Sequence, residues 1–305
     1  MASRSTDTAR YGALLVLGAT GLLGQAMLAE ACARGWPCTG AARSGADHCV
    51  DVADLDGLER LLLEASPAAL VNCAAITSLE ICERHPERAY GVNARAPALL
   101  AELSRDSGIK FVQISSDHYF TGNGSATHAE TASVRLLNEY ARTKYAGEVF
   151  ALTAPASLVV RTNIVGLRGW PGRPTFAEWA LDALESRRSI LLYDDFFTSS
   201  MHSRACAKAV LDLVQRDASG LINGASSQVS SKRKFVLALA EAAGLEPHHE
   251  IGGSVRELGP RRAESLGLDV ERAERLLGRS LPGLQETVES VVWEHRRTHR
   301  ETAQR

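Results

Sequence analysis

The chain has 305 residues, 45% of them hydrophobic and 23% charged, with a formal net charge of -2. That size and balance suit a soluble globular protein of one large domain, or one domain with a smaller lobe. The basic residues are spread along the chain and not gathered in a stripe, which excludes nucleic acid and a membrane surface as expected partners.

Residues 1–10 are polar and read as a flexible tail, and the apolar stretch behind them is only a strand's length, so neither a signal peptide nor a transmembrane span is expected. Apolar runs at 13–17, 38–41, 69–72, 111–115 and 158–161 read as strands, with helical patterns at 22–34, 55–65, 86–104 and 139–151 between them. Such alternation predicts βαβ units feeding a parallel sheet. Leu14-Leu15-Val16-Leu17 and Ala69-Leu70-Val71 are continuous enough in apolar residues to be buried on both faces. After 165 the pattern changes to a Gly/Pro/Arg loop at 166–174, a helix near 176–186 and shorter mixed elements. The expected fold is α/β: a Rossmann-type doubly wound parallel sheet over 11–165, a smaller C-terminal lobe over 166–295 with elements returning to the core, and a basic tail at 296–305. His295-Arg296-Arg297 reads as a solvated helix end. The six cysteines include no Cys-x-x-Cys pair, so reduced thiols, a cytoplasmic location and no zinc are expected.

Gly18-Ala19-Thr20-Gly21-Leu22-Leu23-Gly24 follows the first strand and opens the first helix. A dinucleotide pyrophosphate meets backbone N–H groups and the positive end of a helix at that place. The second strand ends in Ala41-Ala42-Arg43, with no acidic residue to accept from a ribose 2'-hydroxyl. A guanidinium there pairs with a 2'-phosphate, which favours NADP(H) over NAD(H). Asp51-Val52 suits contact with the adenine amino group, and the small residues of Asn72-Cys73-Ala74-Ala75 let a cofactor pass close to the backbone.

Tyr140 and Lys144 are four residues apart in a helical segment and therefore share a face. An ammonium beside a phenol favours phenolate and makes the Tyr a usable acid or base.

These motifs, with Val92-Asn93-Ala94 and Ile114-Ser115-Ser116-Asp117, occur in the order and at about the spacing of the extended short-chain dehydrogenase/reductases. Ser115-Ser116-Asp117-His118-Tyr119-Phe120 resembles the strand-five motif of the dTDP-4-dehydrorhamnose reductase group within that superfamily. Arg161-Thr162-Asn163 resembles its Arg-Thr-Ser, and Arg261-Arg262 through Leu268-Asp269 resembles its substrate segment. The resemblance implies Tyr140 as acid/base, Lys144 as ribose anchor and Ser116 as the hydroxyl that orients a substrate carbonyl. It extends the cofactor contacts to Gly18, Thr20, Gly21, Leu22, Leu23, Gly24, Arg43, Asp51, Val52, Cys73, Ala74, Ala75, Thr77, Asn93 and Ser115. Asp117, His118, Arg261 and Arg262, with Ser116, become the candidate substrate contacts.

His118 stands where the family has Tyr, and Arg262 where it has Pro. Some family members place a magnesium-binding Glu two residues after the third glycine; Ala26 is there, and no metal is expected. His248-His249-Glu250 reads as a solvated turn. The implied function is reduction of a 4-keto-6-deoxy nucleotide sugar, the nucleotide sugar being the partner and a homodimer the candidate assembly. Two alternatives are a nucleotide-sugar epimerase or dehydratase of the same superfamily, and a non-catalytic NADP-binding subunit similar to the methionine adenosyltransferase β-subunit. Dehydration needs an Asp-Glu pair, whereas the chain has Asp117-His118.

Overall fold

The predicted strands form the body of a seven-stranded sheet in the computed structural model of the chain, which describes residues 12–122 and 124–303. Its order is Gly220–Asn223, Leu158–Arg161, Lys110–Ile114, Ala69–Asn72, Leu14–Leu17, Cys38–Ala42, His48–Cys49. Pairing is parallel from His48–Cys49 through Leu158–Arg161. Every residue of Leu14–Leu17, Ala69–Asn72 and Leu158–Arg161 is buried, as strands covered on both faces require.

The covering helices show why they form. Asp54 caps the helix Leu55–Ala65 by accepting from the Gly57 N–H at 3.1 Å. That helix buries Leu58, Leu61 and Leu62 against Leu15, Leu70 and Phe111 and leaves Leu63 to solvent. Each buried leucine contributes about 1.5–3 kcal/mol of transfer free energy.

Leu14–Leu17 pairs with Cys38–Ala42 on one side and Ala69–Asn72 on the other, so the winding reverses at this strand. A crevice opens at the C-terminal ends of strands where such a reversal occurs. The turns after Leu17, Asn72 and Ile114 all lie at that end.

The single helix expected at 86–104 is three pieces: Pro86–Tyr90, a π-helical turn Gly91–Arg95, and Ala96–Ser107. The widened turn has a packing cause across from it at Gly147, where an added Cβ would lie 2.0 Å from the Asn93 carbonyl oxygen. A short helix, Leu79–Arg84, precedes it and was not expected; Ser78 caps it by accepting from Ile81 N–H at 3.2 Å.

The chain divides into two compact units, neither contiguous. The first takes the chain up to Ser116, with Asn138–Arg161 and Ala207–Ile222. The second takes Asp117–Leu137, Thr162–Cys206 and the chain from Asn223 onward. The return of 207–222 completes the sheet of the first unit, where Gly220 N–H donates to Ser157 C=O at 2.8 Å. In the second unit the helices Phe176–Glu185, Lys232–Ala243 and Leu284–Ala303 bury Leu181, Leu184, Phe235, Leu239, Val288 and Val291 with Ile190 and Leu192.

The basic tail expected at 296–305 is instead the last turns of the helix Leu284–Ala303, carried on by the apolar spacing of Val288, Val291 and Val292. His295 Nε2 lies 2.6 Å from Glu185 Oε1, so this end is anchored to its neighbour. The tail expected at 1–10, and residues 304–305, lie outside the described residues. No described helix is long and apolar enough to cross a membrane.

Candidate active site

The turn after the first strand is shaped by close approach. Gly18 has φ +72, and a Cβ there would lie 2.7 Å from the Ala74 amide nitrogen; a Cβ on Gly24 would lie 2.1 Å from the Gly18 carbonyl oxygen. The first turn of Leu22–Ala33 therefore sits hard against the strand end. Gly21, its N-cap, carries no capping side chain, which leaves the positive helix end for an anion.

Asn138 begins the next functional helix, Glu139–Ala151, by accepting from Ala141 N–H at 2.8 Å. Tyr140 and Lys144 follow one turn apart and are 8% and 4% exposed. The Tyr140 hydroxyl donates to Ser116 Oγ at 3.2 Å, and Lys144 Nζ donates to the Ile114 carbonyl at 2.7 Å. The three expected catalytic residues are thus gathered at the end of the strand Lys110–Ile114.

Burial lowers the Lys144 pKa from 10.5 to about 8, while Cys73 and Glu148 act the other way. The ammonium remains the main form at neutral pH. Glu148, one turn further on, takes Arg161 at 2.6 Å and 3.0 Å and Ser115 Oγ at 2.7 Å, all buried. This fork ties the catalytic helix to two strand ends.

Other expected cofactor residues divide by exposure and role. Asn93 donates through Nδ2 to Ile76 C=O and Thr143 Oγ1, each at 3.0 Å, and accepts from Ile76 N–H at 2.9 Å. Its side chain therefore clamps the loop after Ala69–Asn72 to the catalytic helix. Ser115 donates its hydroxyl to Glu148 Oε2 at 2.7 Å. Arg43 and Thr77 are exposed, and the Arg43 guanidinium has no partner among the described residues. Asp51 is exposed and accepts from Ala53 N–H at 3.0 Å, whereas Val52 is buried in the core. Thr20, Leu22, Cys73, Ala74 and Ala75 are half-buried around the glycine turn and the neighbouring strand end, and Leu23 is buried.

The second unit holds the remaining candidates. Asp117 is buried and accepts from Asn163 Nδ2 at 2.7 Å; Asn163 Oδ1 accepts from Ser200 at 2.6 Å. His118 meets the Phe196 ring edge-on at 6.4 Å between centroids. Burial first, and then the positive charges of Lys232 and Arg262, lower its pKa to about 4. Arg262 is half-buried near His118, while Arg261 is exposed. The two arginines, treated alike in sequence, have different surroundings.

Sequence reasoning missed Gly147, Glu148 and Lys232. An Asn before an apolar helical run signals the cap at Asn138. Nothing local marks Gly147 or Glu148, because their partners are distant in the chain.

The doubly wound sheet, with the glycine turn at its reversal, defines a Rossmann-type α/β protein. The chain belongs to the family of the RmlD substrate binding domain, whose model matches residues 12–297. A probable low-salt glycan biosynthesis reductase of Haloferax volcanii is 28% identical over 290 residues, covering 90% of this chain and 96% of the relative. The dTDP-4-keto-6-deoxy-D-glucose reductase of Streptomyces niveus is 30% identical, over 70% of this chain and 72% of its own. The solved dTDP-4-dehydrorhamnose reductase of Bacillus anthracis, in complex with NADP, superposes with a TM-score of 0.83 at 22% identity. That likeness covers 93% of this chain and 99% of the other, and shows a shared fold. These relatives are sugar reductases.

Proposed function

We propose that the chain is an NADP(H)-dependent reductase of a 4-keto-6-deoxy nucleotide sugar. The observation that carries this reading is the buried Tyr140 hydroxyl, 3.2 Å from Ser116 Oγ, with Lys144 one turn along the same helix. A proton donor and a carbonyl-orienting hydroxyl are together at the strand ends, beside a turn fitted to a pyrophosphate.

The glycine turn fits a dinucleotide because a Cβ at Gly18 or Gly24 would occupy the space that close backbone approach needs. Gly18, Gly21, Gly24 and the first turn of Leu22–Ala33 would hold the pyrophosphate, with Arg43 reaching a 2'-phosphate. Bound there, the nicotinamide cofactor supplies the hydride for the carbonyl carbon. Ser116 holds the carbonyl oxygen by a hydrogen bond. Tyr140 delivers its phenolic proton to that oxygen as the alkoxide forms, and the Lys144 ammonium stabilises the phenolate left behind.

The exposed, unpartnered Arg43 supports NADP(H), since a guanidinium in that position favours a 2'-phosphate. Asp117-His118 lacks the Glu that dehydration needs.

The test is NADPH and NADH oxidation by the purified chain with dTDP-4-keto-6-deoxy sugars. Turnover with NADPH preferred supports the proposal. Cofactor binding with no consumption on any keto sugar would overturn it in favour of a non-catalytic subunit.

A further inference from the structure

We propose that Lys232 is a specificity-determining residue of the second unit, binding an oxyanion of the substrate through its ammonium. The proposal depends on the reductase reading only for the substrate's identity, and its test measures binding without turnover.

Lys232 is the first residue of the helix Lys232–Ala243, after the cap Ser231. Its backbone N–H donates to Phe196 C=O at 2.9 Å, which fixes the base of the side chain. The ammonium lies 4.3 Å from the Phe176 ring centroid and 5.7 Å from that of Phe196. Ring faces stabilise a cation but supply no oxygen acceptor. Among the described residues, no hydrogen-bond acceptor meets this half-buried ammonium. Its three N–H donors thus meet no acceptor among the described residues.

Lys232 and Arg262 both act on His118, which stays neutral, and the carboxylate that acts on Lys232 is Asp117. Asp117 already accepts from Asn163 at 2.7 Å. Lys232 also stands in the first turn of a helix, where the macrodipole is positive. Burial lowers Lys232 to about 8, which keeps it protonated at neutral pH.

A group that supplies negative charge and acceptor oxygens completes this arrangement. Both a nucleotide diphosphate and a carboxylate on the sugar have that chemistry. The competing explanation is that Lys232 only balances Asp117 within the fold.

The full-length protein is titrated by calorimetry with dTDP-glucose, dTDP-glucuronic acid, inorganic pyrophosphate and thymidine, as wild type and as Lys232→Met, Lys232→Gln and Lys232→Arg. The expected result is a loss of affinity on the order of tenfold or more in the Met and Gln variants, with Arg retaining most of it. Equal loss for dTDP-glucose, dTDP-glucuronic acid and pyrophosphate identifies the diphosphate as the oxyanion. Loss confined to dTDP-glucuronic acid identifies the sugar carboxylate. Unchanged affinities in either neutral variant, shown to be folded by circular dichroism, overturn the proposal and leave Lys232 as the counter-ion of Asp117. Failure of wild type to bind any of the charged probes overturns it too. The reductase reading is judged separately, by NADPH turnover.

Discussion

Tyr140 and Lys144 sit on one helix face but have different duties in the proposed mechanism, and single substitutions separate them. Tyr140→Phe is expected to lower turnover on the order of 100-fold or more with NADPH affinity nearly intact, because the phenol acts on the substrate. Turnover close to wild type would remove Tyr140 from the mechanism. Lys144 carries its charge below about 8 and loses it as the pH rises through that value. NADPH affinity is therefore expected to fall across that interval, and Lys144→Met to flatten the curve at the weaker level. Stability changes in the opposite direction. The unfolded chain keeps the lysine proton up to its ordinary value, so this residue's share of stability rises with pH above 8. Parallel affinity and denaturation curves read both signs. Arg43→Asp is expected to move preference from NADPH toward NADH, by removing a phosphate partner and adding repulsion. An unchanged ratio of kcat/KM values would place Arg43 outside the cofactor site.

Between elements, the helix Glu139–Ala151 is held by the Asn93–Thr143 hydrogen bond, the Glu148 fork and close packing at Gly147. Gly147→Ala forces a Cβ to within 2.0 Å of the Asn93 carbonyl unless the π-helical turn or the helix shifts. The expected cost is about 1–3 kcal/mol of stability, with turnover reduced because Tyr140 moves with its helix. Denaturant titration and kcat measure the two effects. Wild-type values for both would mean that the contact is soft. The strands 69–72 and 158–161 and the helices 55–65 and 139–151 could be read from sequence to the residue, since buried strands and helices with a capping residue declare themselves locally. Tyr140, Lys144 and Ser116 could be put forward as candidates for the same reason, the first two lying in a readable helix and Ser116 just past a readable strand. The break at 91–95 was not, because its cause lies on another helix. Nor were the Glu148–Arg161 fork and the ring faces around Lys232, whose partners come together only through tertiary packing.

For the molecule as a whole, acid should act in two stages. His118 is held neutral down to about 4, so the unfolded chain binds a proton that the folded chain refuses as the pH falls below its ordinary 6.5. Stability is expected to decline between those values, and His118→Asn to flatten the decline; an identical slope in that variant would assign it to other groups. Glu178, Asp195 and Glu294 have lowered pKa values, from hydrogen bonds to each and, for Asp195 and Glu294, neighbouring positive charge as well. Their contributions persist at neutral pH and are lost only as the pH falls through those lowered values. The interleaved course of the chain matters before any acid is added. A fragment ending near 165 lacks residues 207–222, including Asp212 and Gln215, which hold Arg34 at 2.9 Å and 3.0 Å. On the ribosome the same gap becomes an interval of time. The strand Gly220–Asn223 is made about sixty residues after its neighbour Leu158–Arg161, which is several seconds at roughly 5–20 residues per second. Throughout that interval the strand Leu158–Arg161, apolar in its first three residues, stands as an open edge, able to template a foreign strand. Synthesis order thus makes one sheet edge of the nascent chain the place where a chaperone has most to protect.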